Sequence, residues 1–350
     1  MMTARRLAHS VGVWVVLVLL GASAVDVQPG YGQEVGVGAF SRMGNDARGI
    51  AMGNALVADA TADVSPYYNP ALMPNATQER ASASAALMAF DRQLQTLEFT
   101  TPVGPTAGVG VGLIHGGVGN IDGRNADGEH TETLSTDEFA VALSFGNRFL
   151  ERFSAGISFT VYQADVLPDT SPVRGVGVDF GATVRVTSRL KLGGSVNDLL
   201  AKYEWNTGSV GGRSSTDHFP VRVLLGGHYE IVPDRLHVVA EVESRHQARD
   251  RTVERVEDTS TGPRTVRRTE EVLLQSVRGR MGVEYRPLDI LSMRAGVDRL
   301  GVDGIDGLRP GAGFGLRQTI GELGLQVSYG VAVEPHVRTL INMGTVELFL

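Results

Sequence analysis

From Glu79 onward, apolar and polar residues alternate one for one in runs of about ten, the length a tilted strand needs to cross a bilayer. The clearest run is Phe153 to Tyr162. Phe153, Ala155, Ile157, Phe159 and Val161 share one face, while Ser154, Gly156, Ser158, Thr160 and Tyr162 share the other. The next run opposes Val176, Val178, Phe180, Ala182 and Val184 to Gly177, Asp179, Gly181, Thr183 and Arg185. Successive strand side chains point to opposite faces. The pattern therefore predicts fourteen strands, at 79–91, 93–101, 105–115, 136–147, 152–165, 174–186, 189–199, 218–230, 235–246, 273–286, 289–298, 307–318, 321–331 and 336–349. An even number returns a single-chain barrel to the side on which it began.

The connections sort by length. Tight turns are expected at 102–104, 148–151, 187–188, 231–234, 286–288 and 319–320, and long loops at 116–135, 166–173, 200–217, 247–272 and 299–306. Short turns at one end and long loops at the other fit an outer-membrane barrel, and a soluble sandwich has no reason to sort them so. The face opposite the apolar one also carries charge. Arg278, Arg280, Glu284 and Arg286 alternate with Val277, Met281, Val283 and Tyr285, and Arg294 and Asp298 with Met293, Ala295 and Val297. Buried unpaired charges cost several kcal/mol each, so this face is expected to be wet, mutually paired or covered by polar chain. The last strand closes on Val346-Glu347-Leu348-Phe349-Leu350, with an aromatic one place from the end, as an outer-membrane assembly signal has near its terminus.

The stretch ahead of the strands, Gly44 to Pro74, is too polar to span a membrane and too irregular in period for one helix or strand. It reads as a compact plug at the mouth or inside of the barrel, either a static stopper or a movable gate. Pro70 fixes φ and removes a donor, Asn69 can cap a turn, and Ala71 is small enough for close packing. Before it, Arg5 and Arg6 precede an apolar run from Val11 to Gly21, with small residues at Ala22-Ser23-Ala24 and again at Gly30-Tyr31-Gly32. That is the layout of a secretory leader. The expected organisation is a signal peptide over 1–32, cleaved after Ala24 or Gly32, a plug over 33–78 and a barrel over 79–350.

Composition agrees with a two-faced sheet. The 350 residues include 44 Gly and 14 Pro and are 42% hydrophobic, yet mean hydropathy is near zero because the two faces cancel. With no cysteine, neither a disulfide framework nor a thiolate metal site is available. A net charge of −7 without a concentrated basic face argues against nucleic acid as a partner.

Catalytic and cofactor chemistry finds little support. The glycines of Gly108-Val109-Gly110-Val111-Gly112 recur every second residue within a strand, where they relieve crowding or allow curvature, and lack the strand-turn-helix setting of a phosphate loop. Asp298, Asp303 and Asp306 do not have the spacing of an EF-hand, and His228, His237 and His246 have no spacing that fixes them around one metal. The loop at 247–272 intersperses arginines with carboxylates, the composition of a self-paired, solvated surface. No nucleophile elbow, zinc-protease motif or carboxylate pair is present, so no enzyme activity, cofactor or metal is expected.

Several stretches resemble the PorV/PorQ family of bacterial outer-membrane proteins, itself similar in architecture to the fourteen-stranded long-chain fatty-acid transporters. They are Ala47-Arg48-Gly49-Ile50-Ala51-Met52-Gly53-Asn54-Ala55, Ala58-Asp59-Ala60 and Tyr67-Tyr68-Asn69-Pro70-Ala71-Leu72. Asn197 to Trp205 with Phe219-Pro220, then Gly313 to Arg317, Val327 to Gly330 and His336, extend the resemblance over most of the chain. It implies a barrel in the bacterial outer membrane with its amino-terminal segment in the lumen, and Gly53, Tyr67, Tyr68, Asn69, Pro70 and Ala71 as the plug signature. It also implies binding or shuttling of exported proteins, as in type IX secretion. The alternative is transport of hydrophobic small molecules such as long-chain fatty acids. Expected partners are outer-membrane lipid, with either exported proteins and secretion machinery or hydrophobic small molecules.

Overall fold

The computed structural model describes residues 37–61, 63–166, 171–206, 214–259, 262–301, 304, 307–335 and 337–350. The expected leader, Asp303, Asp306 and His336 lie outside them. A first group of strands runs β1 (Arg80–Leu87), β2 (Arg92–Val103), β3 (Ala107–Arg124), β4 (His130–Leu150), β5 (Phe153–Asp165), β6 (Val173–Arg185) and β7 (Leu190–Leu199). A short pair follows, β8 (Lys202–Asn206) and β9 (Ser214–His218). The second group is β10 (Val221–Val232), β11 (Leu236–Thr259), β12 (Gly262–Leu288), β13 (Leu291–Leu300), β14 (Arg309–Ile320), β15 (Leu323–Glu334) and β16 (Thr339–Phe349).

All but β8 and β9 join into one closed antiparallel barrel, in which β7 pairs with β10 and β1 seals against β16 from Arg80↔Phe349 to Leu87↔Asn342. Each of the fourteen runs read from alternation is a barrel strand. Closure removes both sheet edges, so every strand finds two partners. Alternation sends the side chains where the pattern predicts: Phe159 and Val161 are 51% and 52% exposed, and Ser158 and Thr160 only 2% and 6%. An outward band of this kind, carried by all fourteen strands, is what lipid covers. No helix among the described residues is long and apolar enough to cross a membrane.

The expected long loops are corrected in two places. The chain from 116 to 135 is mostly strand, with β3 and β4 paired out to Arg124↔His130, and β11 and β12 pair out to Thr259↔Gly262. Beyond the bilayer a ladder needs no apolar face, so hydrophobic alternation fades while backbone pairing continues. The connection at 200–217 holds the β8–β9 hairpin, paired from Lys202↔His218 to Asn206↔Ser214. The aromatic one place from the end lies in the last strand, β16. Phe349 occupies the inward face, buried beneath the Arg317 guanidinium, whose central carbon lies 4.0 Å from the ring centre.

The segment before β1 contains a 3-10 turn (Ala39–Arg42), a one-turn helix α1 (Ala47–Ala51) and a second 3-10 turn (Pro70–Asn75). Asp46 caps α1 by accepting the Gly49 N–H at 2.6 Å, and Asn69 caps the second turn by accepting the Ala71 N–H at 2.9 Å. These turns carry little regular structure of their own, and most of the segment is buried against the inward residues of the wall.

Candidate functional site

The site is the interior between the amino-terminal segment and the barrel wall. Asn69 is fully buried, and its Nδ2 donates to the carbonyls of Val57 at 2.8 Å, Gly194 at 3.2 Å and Ala182 at 3.4 Å. One side chain thus ties two parts of the segment to β6 and β7. Pro70 follows with its carbonyl pressed on β4 and β5, so close that a Cβ on Gly156 would stand 2.4 Å from the Pro70 carbonyl carbon. Ala71 is wholly enclosed. The rings of Tyr67 and Tyr68 meet edge to face at 4.8 Å, and the Tyr67 hydroxyl accepts the Gly44 N–H at 3.2 Å. Burial pushes the Tyr68 phenol well above its usual range, with the Asp46 charge adding to the effect. Gly53 has φ +65 and packs on the backbone of β13, where a Cβ would lie 2.5 Å from the Val297 oxygen. All six signature residues therefore make close internal contacts, and of them Tyr67 also borders a small cavity.

Electrostatics hold the other side. Arg48 of α1 donates to Asp59 at 2.6 Å and to Glu284 of β12 at 2.9 Å, all three buried. Burial opposes ionisation of Asp59, but the Arg48 guanidinium and the adjoining His228 outweigh it and hold the carboxyl well below the usual carboxylate range. Burial likewise opposes the Arg48 charge, and Asp59 and Glu284 overcome it, raising Arg48 well above its ordinary value. Around this pair, Lys191 Nζ donates to the Asp59 carbonyl at 2.8 Å, the Ala60 N–H donates to His228 Nδ1 at 3.2 Å, and the Val57 N–H donates to Glu241 at 3.1 Å. A second group anchors the seam between β1 and β16. Arg80 bridges Glu98 and Glu347, each at 2.7 Å, and Glu98 also accepts from the Ser65 hydroxyl at 2.6 Å and from Asn45 at 3.1 Å.

The charged inward face noted in the sequence is thus mutually paired. Arg280 contacts Glu241, Glu243 and Asp298, and Glu284 accepts from Arg48, Arg286 and Arg294. Toward the end that bears the long hairpins, the interior turns apolar. Phe40, Leu94, Ile114, Tyr162, Tyr203 and Phe219 belong to one buried cluster, with the Phe219 ring 4.7 Å from Tyr162 and 5.0 Å from Tyr203. A cavity of about 50 Å³ borders this cluster at Ile114 and Tyr162, with Pro66, Ala140 and Ala142 beside Glu98, Asp179 and Arg222 in its lining. That is room for a few waters and nothing larger.

Sequence reasoning met Arg48 and Asp59 only within the resembling stretches, and Glu284 only as a strand charge in need of a partner, and did not bring the three together. The available signal was the presence of charges in an otherwise Gly/Ala-rich segment, opposite a strand face that alternates charge. His228 and His237 come together as a stacked pair at 4.5 Å, whereas His246 meets Ser244 instead. Gly108 and Gly110 do relieve crowding, since side chains there would strike Met73 and Pro66. The side chains of the charged stretch within 247–272 lie largely outside the described residues.

A closed fourteen-stranded antiparallel barrel, apolar outward and ionic inward, is a bacterial outer-membrane protein. Solved structures with this fold include the Pseudomonas putida toluene transporter TodX, with a TM-score of 0.59, 13% identity, and 87% of this chain and 96% of that chain covered. The Ralstonia pickettii toluene transporter TbuX matches with a TM-score of 0.57 and 15% identity over 87% and 97% of the two chains. A Pseudomonas aeruginosa FadL homologue matches with a TM-score of 0.58 and 13% identity over 87% and 98%. No family model and no curated relative matches the chain. The likeness is one of fold. It meets the fatty-acid-transporter side of the sequence resemblance and lends nothing to the PorV/PorQ side.

Proposed function

We propose that this protein admits hydrophobic small molecules across the outer membrane and that residues 33–78 are its plug. The observation behind this reading is the buried aromatic and aliphatic cluster inside the barrel at the long-hairpin end, where a channel for polar solutes would be lined by water. Support comes also from the likeness to barrels described as toluene transporters and as a FadL homologue. The cavity is too small for a hydrocarbon, so on this reading the plug must shift, and it acts as a gate instead of a fixed stopper.

The test is uptake. Cells lacking the protein should take up labelled toluene or a labelled long-chain fatty acid several-fold more slowly than cells that carry it. Equal rates across a panel of aromatic and acyl compounds would remove the proposal. The reading in which the barrel binds or shuttles exported proteins rests on the residue resemblance at 47–72 and 197–205. It predicts that exported proteins or secretion machinery co-purify from solubilised envelope, and the transporter reading predicts that they do not.

A further inference from the structure

The amino-terminal segment is held to the wall in two different ways. α1 packs on β13 to β16, and the chain around it is tied by charge: Arg48 pairs with Glu284, Asp63 with Arg317, and the Val57 N–H bonds Glu241. The second 3-10 turn packs chiefly on β3 to β6. Residues 66–78 carry no charged side chain, so no ion pair can fasten them. Asn69 Nδ2 reaches the carbonyls of Ala182 and Gly194, and Arg148 donates to the Pro74 carbonyl at 2.8 Å. The two ends of this stretch meet. Arg80, which opens β1, donates to the Val64 carbonyl at 3.1 Å and pairs with Glu98, and Glu98 accepts from the Ser65 hydroxyl at 2.6 Å. Residues 66–78 are therefore a flap on one hinge, stiffened by Pro66, Pro70 and Pro74. Its last residues, Thr77 and Gln78, are exposed beside the start of β1, at the short-turn end of the barrel.

The wall under the flap is bare. The ladder register sets Gly108, Gly146, Gly156 and Gly181 in one row across β3 to β6, and a Cβ on any of them would strike Met73, Pro70 or Asn69. Farther from the short turns, Gly112, Ala142 and Thr160 form a row that lines the small cavity, and the row beyond them is Ile114, Ala140 and Tyr162 of the apolar cluster. A Cβ on Gly112 would meet nothing nearer than the Leu97 oxygen at 4.0 Å. Asn197, 4% exposed, lines the same cavity, and its Oδ1 has no partner among the described residues. Glycines seat the other half of the segment too, but there Arg280 and Glu284 flank Gly282 and hold charged partners. Releasing that half would leave buried charges unpaired, and releasing the flap would not. We infer that the plug opens in one part only. Residues 66–78 swing toward the periplasm about Arg80 and Glu98, and hydrophobic molecules pass along the small-residue wall of β3 to β6. Residues 44–61 stay docked. This route rests on the transporter reading, and it narrows the moving part to the uncharged flap.

The chain has no cysteine, so a matched pair of single thiols can be compared. Met73→Cys lies in the flap and Met52→Cys in the charged half, and both methionines are 0% exposed. Maleimide labelling of the full-length protein in liposomes is timed alone, with toluene and with oleate. Either compound should speed labelling of Met73→Cys by roughly fivefold or more and leave Met52→Cys unchanged. Gly156→Ala, whose methyl strikes Pro70, should have the same selective effect with no compound added. Barrel closure is checked by heat-modifiable gel mobility, and should Gly156→Ala fail to close, the two compounds alone decide. Equal acceleration of both thiols, acceleration of Met52→Cys alone, or a Met73→Cys rate that neither compound changes would each overturn the inference. Uptake by cells with and without the protein separates the two readings. Protein-dependent uptake with an unmoved flap defeats this route and spares the transporter, whereas uptake that ignores the protein defeats the transporter itself.

Discussion

Asn69 and Gly181 touch so closely that a Cβ on Gly181 would lie 1.9 Å from the Asn69 Oδ1. The amide that caps the turn before Ala71 also reaches the carbonyls of Ala182 and Gly194, so β6 must be bare backbone at this height. Gly181→Val forces Asn69 away from its partners. Overpacking at such a contact costs about 1–3 kcal/mol, and buried groups left unpaired cost about 1–3 kcal/mol each. The barrel should still close, because the ladder between β5 and β6 is untouched. The plug should loosen, seen as faster proteolysis of residues 37–78 in detergent. Proteolysis at the wild-type rate would show that this contact does not hold the plug.

The Arg48, Asp59 and Glu284 group gives a sharper contrast. Arg48→Met leaves two buried carboxylates facing each other without their shared cation, a loss of about 3–5 kcal/mol. A double replacement, Arg48→Met with Asp59→Asn, removes the pair together while Glu284 keeps Arg286 and Arg294, and should recover much of that loss. Susceptibility of residues 37–78 to protease, compared across the single and double variants, checks this. A double variant as fragile as Arg48→Met would mean that packing, and not charge, decides.

The fourteen-strand fold was legible because lipid and lumen impose opposite demands on alternate residues, and the chain records both, as in Phe159 against Ser158 and Thr160. The hairpins out to Arg124 and Thr259 were not legible, since outside the bilayer a ladder can be built from almost any residues. The interior was half legible. Strand charges such as Glu284 and Arg280 signalled a need for partners, but nothing in a single sequence says that the Glu284 partner is Arg48, 236 residues earlier. The face of Phe349 was not legible for a related reason. Its position near the terminus is visible in sequence, whereas its face depends on the register of β16 against β1 and β15.

That inward Phe349 has a measurable consequence. Arg317 stacks on its ring and donates to Asp63 at 3.2 Å, so one guanidinium links the last strand to the amino-terminal segment. Phe349→Leu keeps an apolar side chain but loses the cation–π contact, worth about 0.5–2 kcal/mol. The plug end near Asp63 should become more accessible while assembly into the membrane proceeds normally. Failure to assemble would show instead that Phe349 acts in barrel insertion despite its inward position.

Acid should release the plug, and the sign follows from Asp59. Its carboxyl titrates well below the usual range in the folded protein, because Arg48 and His228 outweigh the burial that opposes its charge. A depressed carboxylate stabilises the docked state fully above its unfolded value, about 3.9. That contribution fades as pH falls toward and through the folded value. Docking should therefore be flat with respect to Asp59 between about pH 5 and 8 and weaken only in stronger acid. The chain has no cysteine, so Ala58→Cys places a single buried thiol in the plug. A pyridyl disulfide, which reacts in acid, should label it slowly at neutral pH and markedly faster below about pH 4. With Asp59→Asn added, labelling should already be faster at neutral pH and should lose the part of the acid response that belongs to this carboxylate. An unchanged acid profile in that double variant would assign the release to other groups, the Glu98 and Glu347 pair on Arg80 being the next to test.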